Sequence, residues 1–225
     1  MSEALTLRPL GIFGGTFDPV HCGHLRLAEE AADALALDTV RWIPAGQPPA
    51  RLRPPLASAR QRLEMVRRAI DGNARFEIDA GEVEADQTSY TVLTLERLRL
   101  PTVCGTARPL VLLTGADAFA GMSSWHRWER LFELAHVAVA CRPGYSIQAD
   151  SLPPALAEVY RQRLCDDPAE LSEAPAGRIV SFAMTPLGIS ATRIREALAK
   201  RTSPRYLLPD AVLDYIHLHS LYQES

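Results

Sequence analysis

At 225 residues, 47% of them hydrophobic, and with a net charge of −3, the chain can bury one core and is too evenly charged to hold nucleic acid by bulk electrostatics. Its four cysteines, Cys22, Cys104, Cys141 and Cys165, have no paired spacing and read as reduced thiols of a cytoplasmic protein rather than a disulfide framework. The opening MSEALTLRPL does not read as a signal peptide, and no apolar stretch approaches membrane-spanning length.

The first predicted element is a buried strand, Leu7 to Phe13, running into Gly14-Gly15. A turn at Thr16-Phe17-Asp18-Pro19 follows, and His21, Cys22, Gly23 and His24 open a helix. A strand, a glycine turn and a helix N-terminus together bind anions, because free backbone N–H groups and the helix dipole face the ligand. His21 and His24, three apart, share a face of the first helical turn, which points to phosphate chemistry. The stretch is not a Walker loop, since no Lys-Ser or Lys-Thr follows the glycines, and the G-x-G-x-x-G spacing is absent. A glycine pair alone is ordinarily a tight turn, and His21 alone a cap or surface residue. A metal site of His21, Cys22 and His24 is conceivable, but adjacent positions diverge and no CxxC adds ligands.

The helix continues through Leu25 to Leu37, with Leu25, Ala28, Ala32 and Leu35 at helical spacing, and a strand follows at Thr39 to Pro44. Gly46 to Leu56 is a proline-stiffened loop whose Arg51 and Arg53 are either solvated charges or a cover for phosphates. Ser58 and Gln61 form a capping box for a helix with Leu63, Val66 and Ile70 on its apolar stripe, ending at Asp71-Gly72. A strand around Phe76 and Ile78 precedes a helix opened by Thr88-Ser89-Tyr90-Thr91, with Val92, Leu95 and Leu98 inward. Pro109 to Thr114 is a buried strand that delivers Gly115-Ala116-Asp117 to the carboxyl edge of a sheet, where open α/β folds bind ligands. Trp125-His126-Arg127-Trp128 is expected on a helix with Leu131 and Phe132, Trp128 facing the core. His136 to Cys141 is another buried strand, with Arg142-Pro143-Gly144 at its end. After a polar excursion with a helix near Leu156 to Leu164, Gly177 to Met184 reads as the last strand. A helix from Ser190 places Thr192 and Arg195 on one face, and a final helix spans Pro209 to Tyr222. His217 and His219 read as surface residues. The alternation predicts a single α/β domain over residues 1–225, a doubly wound parallel sheet with a C-terminal helical part from about 190.

The string GGTFDPVHCGHL resembles the H-x-G-H signature of the nucleotidylyltransferase superfamily, and GISATRIR its second signature, I-S-S/A-T-x-I-R. With the landmarks between them, the chain from about Leu10 to Tyr222 resembles the bacterial nicotinate mononucleotide adenylyltransferases. That resemblance implies adenylyl transfer from ATP to nicotinate mononucleotide, with His21, His24 and Arg195 stabilising the reacting phosphates. It implies ATP contacts from Gly14, Gly15, Thr16, Gly115, Asp117, Ser190 and Thr192, with Asp117 on the ribose. For the mononucleotide it implies Thr91 on the nicotinate carboxylate, Trp125 stacked on the ring, Arg142 on the phosphate, and Arg51 in the proline loop. Ala50 stands where the family usually has histidine, and His126 where some relatives carry tyrosine. Mg²⁺ is expected to come with ATP rather than in a protein cage, and no nucleic acid or membrane partner is expected. A homo-oligomer stays open. The rival expectations are another acceptor (nicotinamide mononucleotide or phosphopantetheine) and a nucleotide-binding regulatory module without chemistry.

Overall fold

Residues 7–49, 54–85 and 87–223 are described by a computed structural model. Strands and helices alternate: β1 (Leu10–Gly15), α1 (Cys22–Ala34), β2 (Val40–Pro44), α2 (Ala59–Ile70), β3 (Phe76–Ile78), α3 (Gly81–Glu84), α4 (Thr91–Leu98), β4 (Leu110–Gly115), α5 (Ala116–Ala120), α6 (Leu131–Leu134), β5 (His136–Cys141), α7 (Pro154–Arg163), β6 (Ile179–Ala183), α8 (Ala191–Ala199) and α9 (Asp210–Leu218). The strands form one six-stranded sheet in the order β3-β2-β1-β4-β5-β6. Every neighbouring pair is parallel. Each of the six strands overlaps the stretch predicted for it, β1 starting three residues later than expected and ending two later.

Strand alternation sorts the apolar residues into two cores, as a sheet covered on both faces requires. Phe13, Trp42, Val111, Leu113, Ala138 and Phe182 face one side, against α1, α2, α8 and α9. Leu10, Ile12, Leu110, Leu112, Val137 and Val139 face the other, against α4, α6 and α7. This is the doubly wound α/β sheet.

The winding direction reverses between β1 and β4, which places the topological switch point there. Pairing of these two strands runs from Leu10–Leu110 to Ile12–Leu112, while each strand continues three residues further, to Gly15 and Gly115. The strands therefore part at their carboxyl ends, and a crevice opens.

Three predicted boundaries change. Gly14 and Gly15 are the last residues of β1, paired with Ile43 and Pro44, not a turn beyond the strand. The helix expected to run from Trp125 to Phe132 is broken: Arg127 adopts a left-handed φ of 50°, between short 3₁₀ turns at Met122–Ser124 and Trp128–Arg130. That conformation cannot continue a right-handed helix. The last helix stops at Leu218, and Ser220 and Tyr222 turn back with φ of 50° and 62°.

Candidate active site

Each half of the H-x-G-H string has a local physical cause. Phe17 takes a left-handed φ of 50° and turns its ring back toward β1, where a Cβ on Gly15 would lie 2.8 Å from the ring. The same ring stands edge-on to His24, with centroids 5.1 Å apart. His21 caps α1, and its ring lies over Gly23, where a Cβ would come within 3.1 Å of it. Glycine at both positions therefore makes room for an aromatic ring.

The two imidazoles stack, with centroids 3.7 Å apart and planes 21° from parallel. The backbone N–H of His21 donates to Nδ1 of His24 at 3.2 Å, so the neutral ring carries its proton on Nε2 and is a donor there. Burial, then the neighbouring His21, holds the His24 pKa well below the ordinary histidine value. Burial alone dominates at His21 and lowers its pKa from 6.5 to about 4. Both rings are neutral at pH 7, the form that can stack without repulsion.

This has a consequence for stability. The unfolded chain takes up a proton on His21 near pH 6.5, whereas the folded chain resists until about pH 4. Stability is therefore full above pH 6.5 and falls between 6.5 and 4, by an amount on the order of 3 kcal/mol from this residue. Urea unfolding at pH 7 and pH 4.5 is expected to show that loss in the native chain and a smaller one in His21→Gln. Equal losses in both would show that His21 is not the group responsible.

A cavity of about 830 Å³ opens beside the histidines, with Thr16, Asp18, His24, Gly46, Arg62 and Arg195 among the residues lining it. Ser190 caps α8 by accepting the Arg193 N–H at 3.3 Å. One turn on, Nη2 of Arg195 donates to Oγ1 of Thr192 at 3.2 Å and Nη1 donates to the Asp18 carbonyl at 2.6 Å. Residues 177 positions apart in sequence thus share one wall.

The remaining predicted residues lie elsewhere along the sheet's carboxyl edge. Gly115 ends β4 and the exposed Asp117 sits in the first turn of α5. Thr91 opens α4, whose N-cap Tyr90 packs on His126 with centroids 4.6 Å apart. Trp125 rests against the second core cluster, and Arg142 is exposed just past β5. These residues do not line the 830 Å³ cavity. Arg51 lies outside the described residues.

Sequence reading missed the roles of two residues that line the cavity, Arg62 and Gly46. Arg62 is 1% exposed and donates to the carbonyls of Thr16 (2.7 Å), Gly46 (2.9 Å) and Ala57 (3.2 Å). The signal existed, because Arg62, Val66 and Ile70 are spaced four apart on the buried face of α2. Gly46 must be glycine, since a Cβ would fall 1.9 Å from the Glu82 carbonyl oxygen. Its N–H donates to Oγ of Ser89 at 2.9 Å, and the Ser89 N–H donates to the Gln47 carbonyl at 2.7 Å. The loop after β2 is thereby fastened to the entrance of α4.

A family model described as cytidylyltransferase-like matches residues 12–197. The probable nicotinate-nucleotide adenylyltransferase of Dechloromonas aromatica (strain RCB) is 60% identical over 217 residues, covering 96% of this chain and 99% of its own. That of Pseudomonas putida (strain GB-1), described in the same words, is 46% identical and covers 99% of each chain. Among solved structures, the nicotinic acid mononucleotide adenylyltransferase of Plasmodium falciparum complexed with NaAD superposes with a TM-score of 0.68. The match covers 96% of this chain and 97% of that one at 16% identity, a likeness of fold.

Proposed function

The chain belongs to the cytidylyltransferase-like family, among the nicotinate-nucleotide adenylyltransferases, and we propose that it transfers the adenylyl group of ATP to nicotinate mononucleotide, forming deamido-NAD and pyrophosphate in NAD biosynthesis. The observation that carries this reading is the meeting of His24 and Arg195, from opposite ends of the sequence, on one cavity beyond the carboxyl end of β1.

The mononucleotide phosphate is already an anionic nucleophile at neutral pH, so in-line attack on the α-phosphorus needs no general base. Catalysis then consists of holding two anions in line and stabilising the charge that builds on the phosphoryl oxygens. The neutral Nε2–H of His24 is a preorganised donor for that charge, with His21 fixing its ring and Arg195 supplying a permanent cation. Gly14, Gly15, Thr16, Ser190 and Thr192 would position the ATP phosphates, and Gly115 with Asp117 the ribose. The free helix N-terminus at Thr91 suits the nicotinate carboxylate, Trp125 a stacked pyridinium, and Arg142 the mononucleotide phosphate. His126 would border that subsite through Tyr90.

Both carboxylate oxygens of Asp18, in the cavity wall, already accept hydrogen bonds. A divalent ion is thus expected on the ATP phosphates and water, where Mg²⁺ would neutralise phosphate charge. Among the described residues no helix is long and apolar enough to cross a membrane, and all four cysteines are free thiols, which supports a cytoplasmic setting.

Pyrophosphate release from Mg·ATP with nicotinate mononucleotide, nicotinamide mononucleotide or phosphopantetheine tests the function. Strong preference for the acid mononucleotide is expected. Turnover with nicotinamide mononucleotide alone would discard the Thr91 carboxylate contact, turnover with phosphopantetheine alone would discard the whole Thr91, Trp125 and Arg142 subsite, and silence with all three from protein that binds ATP would leave a regulatory module. In the same assay, Trp125→Ala is expected to raise KM for the mononucleotide about tenfold, the worth of a stacked ring, with KM for ATP nearly constant. Equal rises for both substrates would assign Trp125 to the core instead.

A further inference from the structure

The carboxylate of Asp18 gathers partners from distant parts of the chain. Its oxygens accept the N–H groups of Leu56 at 2.9 Å and Ala57 at 3.1 Å, and the phenol O–H of Tyr222 at 2.7 Å. Asp18 is 7% exposed and Tyr222 9%. Tyr222 lies past α9, where left-handed turns at Ser220 and Tyr222 fold the segment back toward a residue 204 positions earlier. The carbonyl of the same Asp18 accepts Nη1 of Arg195 at 2.6 Å. A rigid Asp18 therefore fixes both the cavity's loop wall and the direction of the guanidinium.

We propose that Tyr222 is a positioning residue for adenylyl transfer: its hydroxyl holds Asp18, and the Asp18 carbonyl holds Arg195 toward the phosphates. This rests on the reading of Arg195 as a phosphate-binding residue. The ring of Tyr222 belongs to the core that includes Ile194 and Ile216, a place phenylalanine would fill as well. The hydroxyl is what packing does not require, and its acceptor is Asp18. Burial and then the Asp18 charge raise the phenol's pKa far above neutrality, against the smaller opposing pull of Arg195 and Arg62, so it remains a donor. A buried carboxylate with a fixed hydrogen-bond set is a rigid support for a neighbouring site.

Tyr222→Phe separates positioning from packing. Turnover at saturating Mg·ATP and nicotinate mononucleotide would be measured below the melting temperature, in the native chain and in Arg195→Ala. A slight misplacement of a phosphate-holding group is costly, so kcat is expected to fall roughly tenfold in the native background. In Arg195→Ala, which has no guanidinium to aim, Tyr222→Phe is expected to change kcat little. Unchanged kcat in the native background, or equal losses in both, would overturn the proposal. If Arg195→Ala itself kept near-normal turnover, the reading of Arg195 would fall and this proposal with it; a large Arg195→Ala loss beside a silent Tyr222→Phe overturns the proposal alone. Should Tyr222→Phe fail to fold, Asp18→Asn in the same two backgrounds is judged by the same outcomes.

Discussion

Replacing His24 with alanine is expected to lower turnover about 100-fold or more, the usual loss when one preorganised donor to a developing oxyanion is removed. The ring is held on three sides: His21 stacks on it, Phe17 meets it edge-on, and the His21 N–H occupies Nδ1. Only Nε2–H is left to donate, and the lowered pKa keeps the ring in that neutral form through the working range. His24→Gln, which keeps a side-chain donor, is expected to recover part of the loss. The check is kcat beside thermal unfolding of each variant. Near-normal turnover in a folded His24→Ala would remove this residue from the chemistry, and a loss that tracks melting would assign it to structure.

The parts of this molecule legible in sequence are those written in local pattern. Buried strands such as HVAVAC are short apolar runs, and the two signature strings carry their caps and glycines within a few residues. What pattern could not convey is a residue whose role depends on distant backbone. The spacing of Arg62 with Val66 and Ile70 places it on the inward face of α2, but only the tertiary fold brings the Thr16 and Gly46 carbonyls to it. Asp18 stood inside the recognised string yet gave no sign of Tyr222, more than 200 positions away. The Trp125 region misled for the opposite reason, since helical spacing of Trp125, Trp128 and Phe132 is also produced by short turns around a left-handed Arg127. Gly14-Gly15 reads in sequence as an anion-binding turn, and the structure adds a packing reason for the second glycine at the end of β1. Gly15 leaves room for Phe17, whose ring in turn braces His24.

The largest stability effect is expected at Arg62. In Arg62→Met the apolar stem is retained, but three carbonyls, of Thr16, Gly46 and Ala57, lose a charged donor, and the attraction between the guanidinium and Asp18 is lost. Leaving such buried groups unpaired costs about 3–5 kcal/mol, a large share of an ordinary domain's stability. Lysine cannot reproduce the fork that reaches three acceptors, so Arg62→Lys should lose most of the same amount. Urea unfolding of both variants measures this, and a loss below about 1 kcal/mol in Arg62→Met would show that water satisfies those carbonyls instead. The effect extends to function because the three carbonyls belong to opposite sides of one cavity: the turn after β1, the loop after β2, and the entrance of α2. A buried cation that ties these segments together sets the width of the space where two anionic substrates must meet. Variants that still fold are therefore expected to lose ATP affinity in proportion to stability, whereas a change at His24 should leave affinity nearly intact and remove rate.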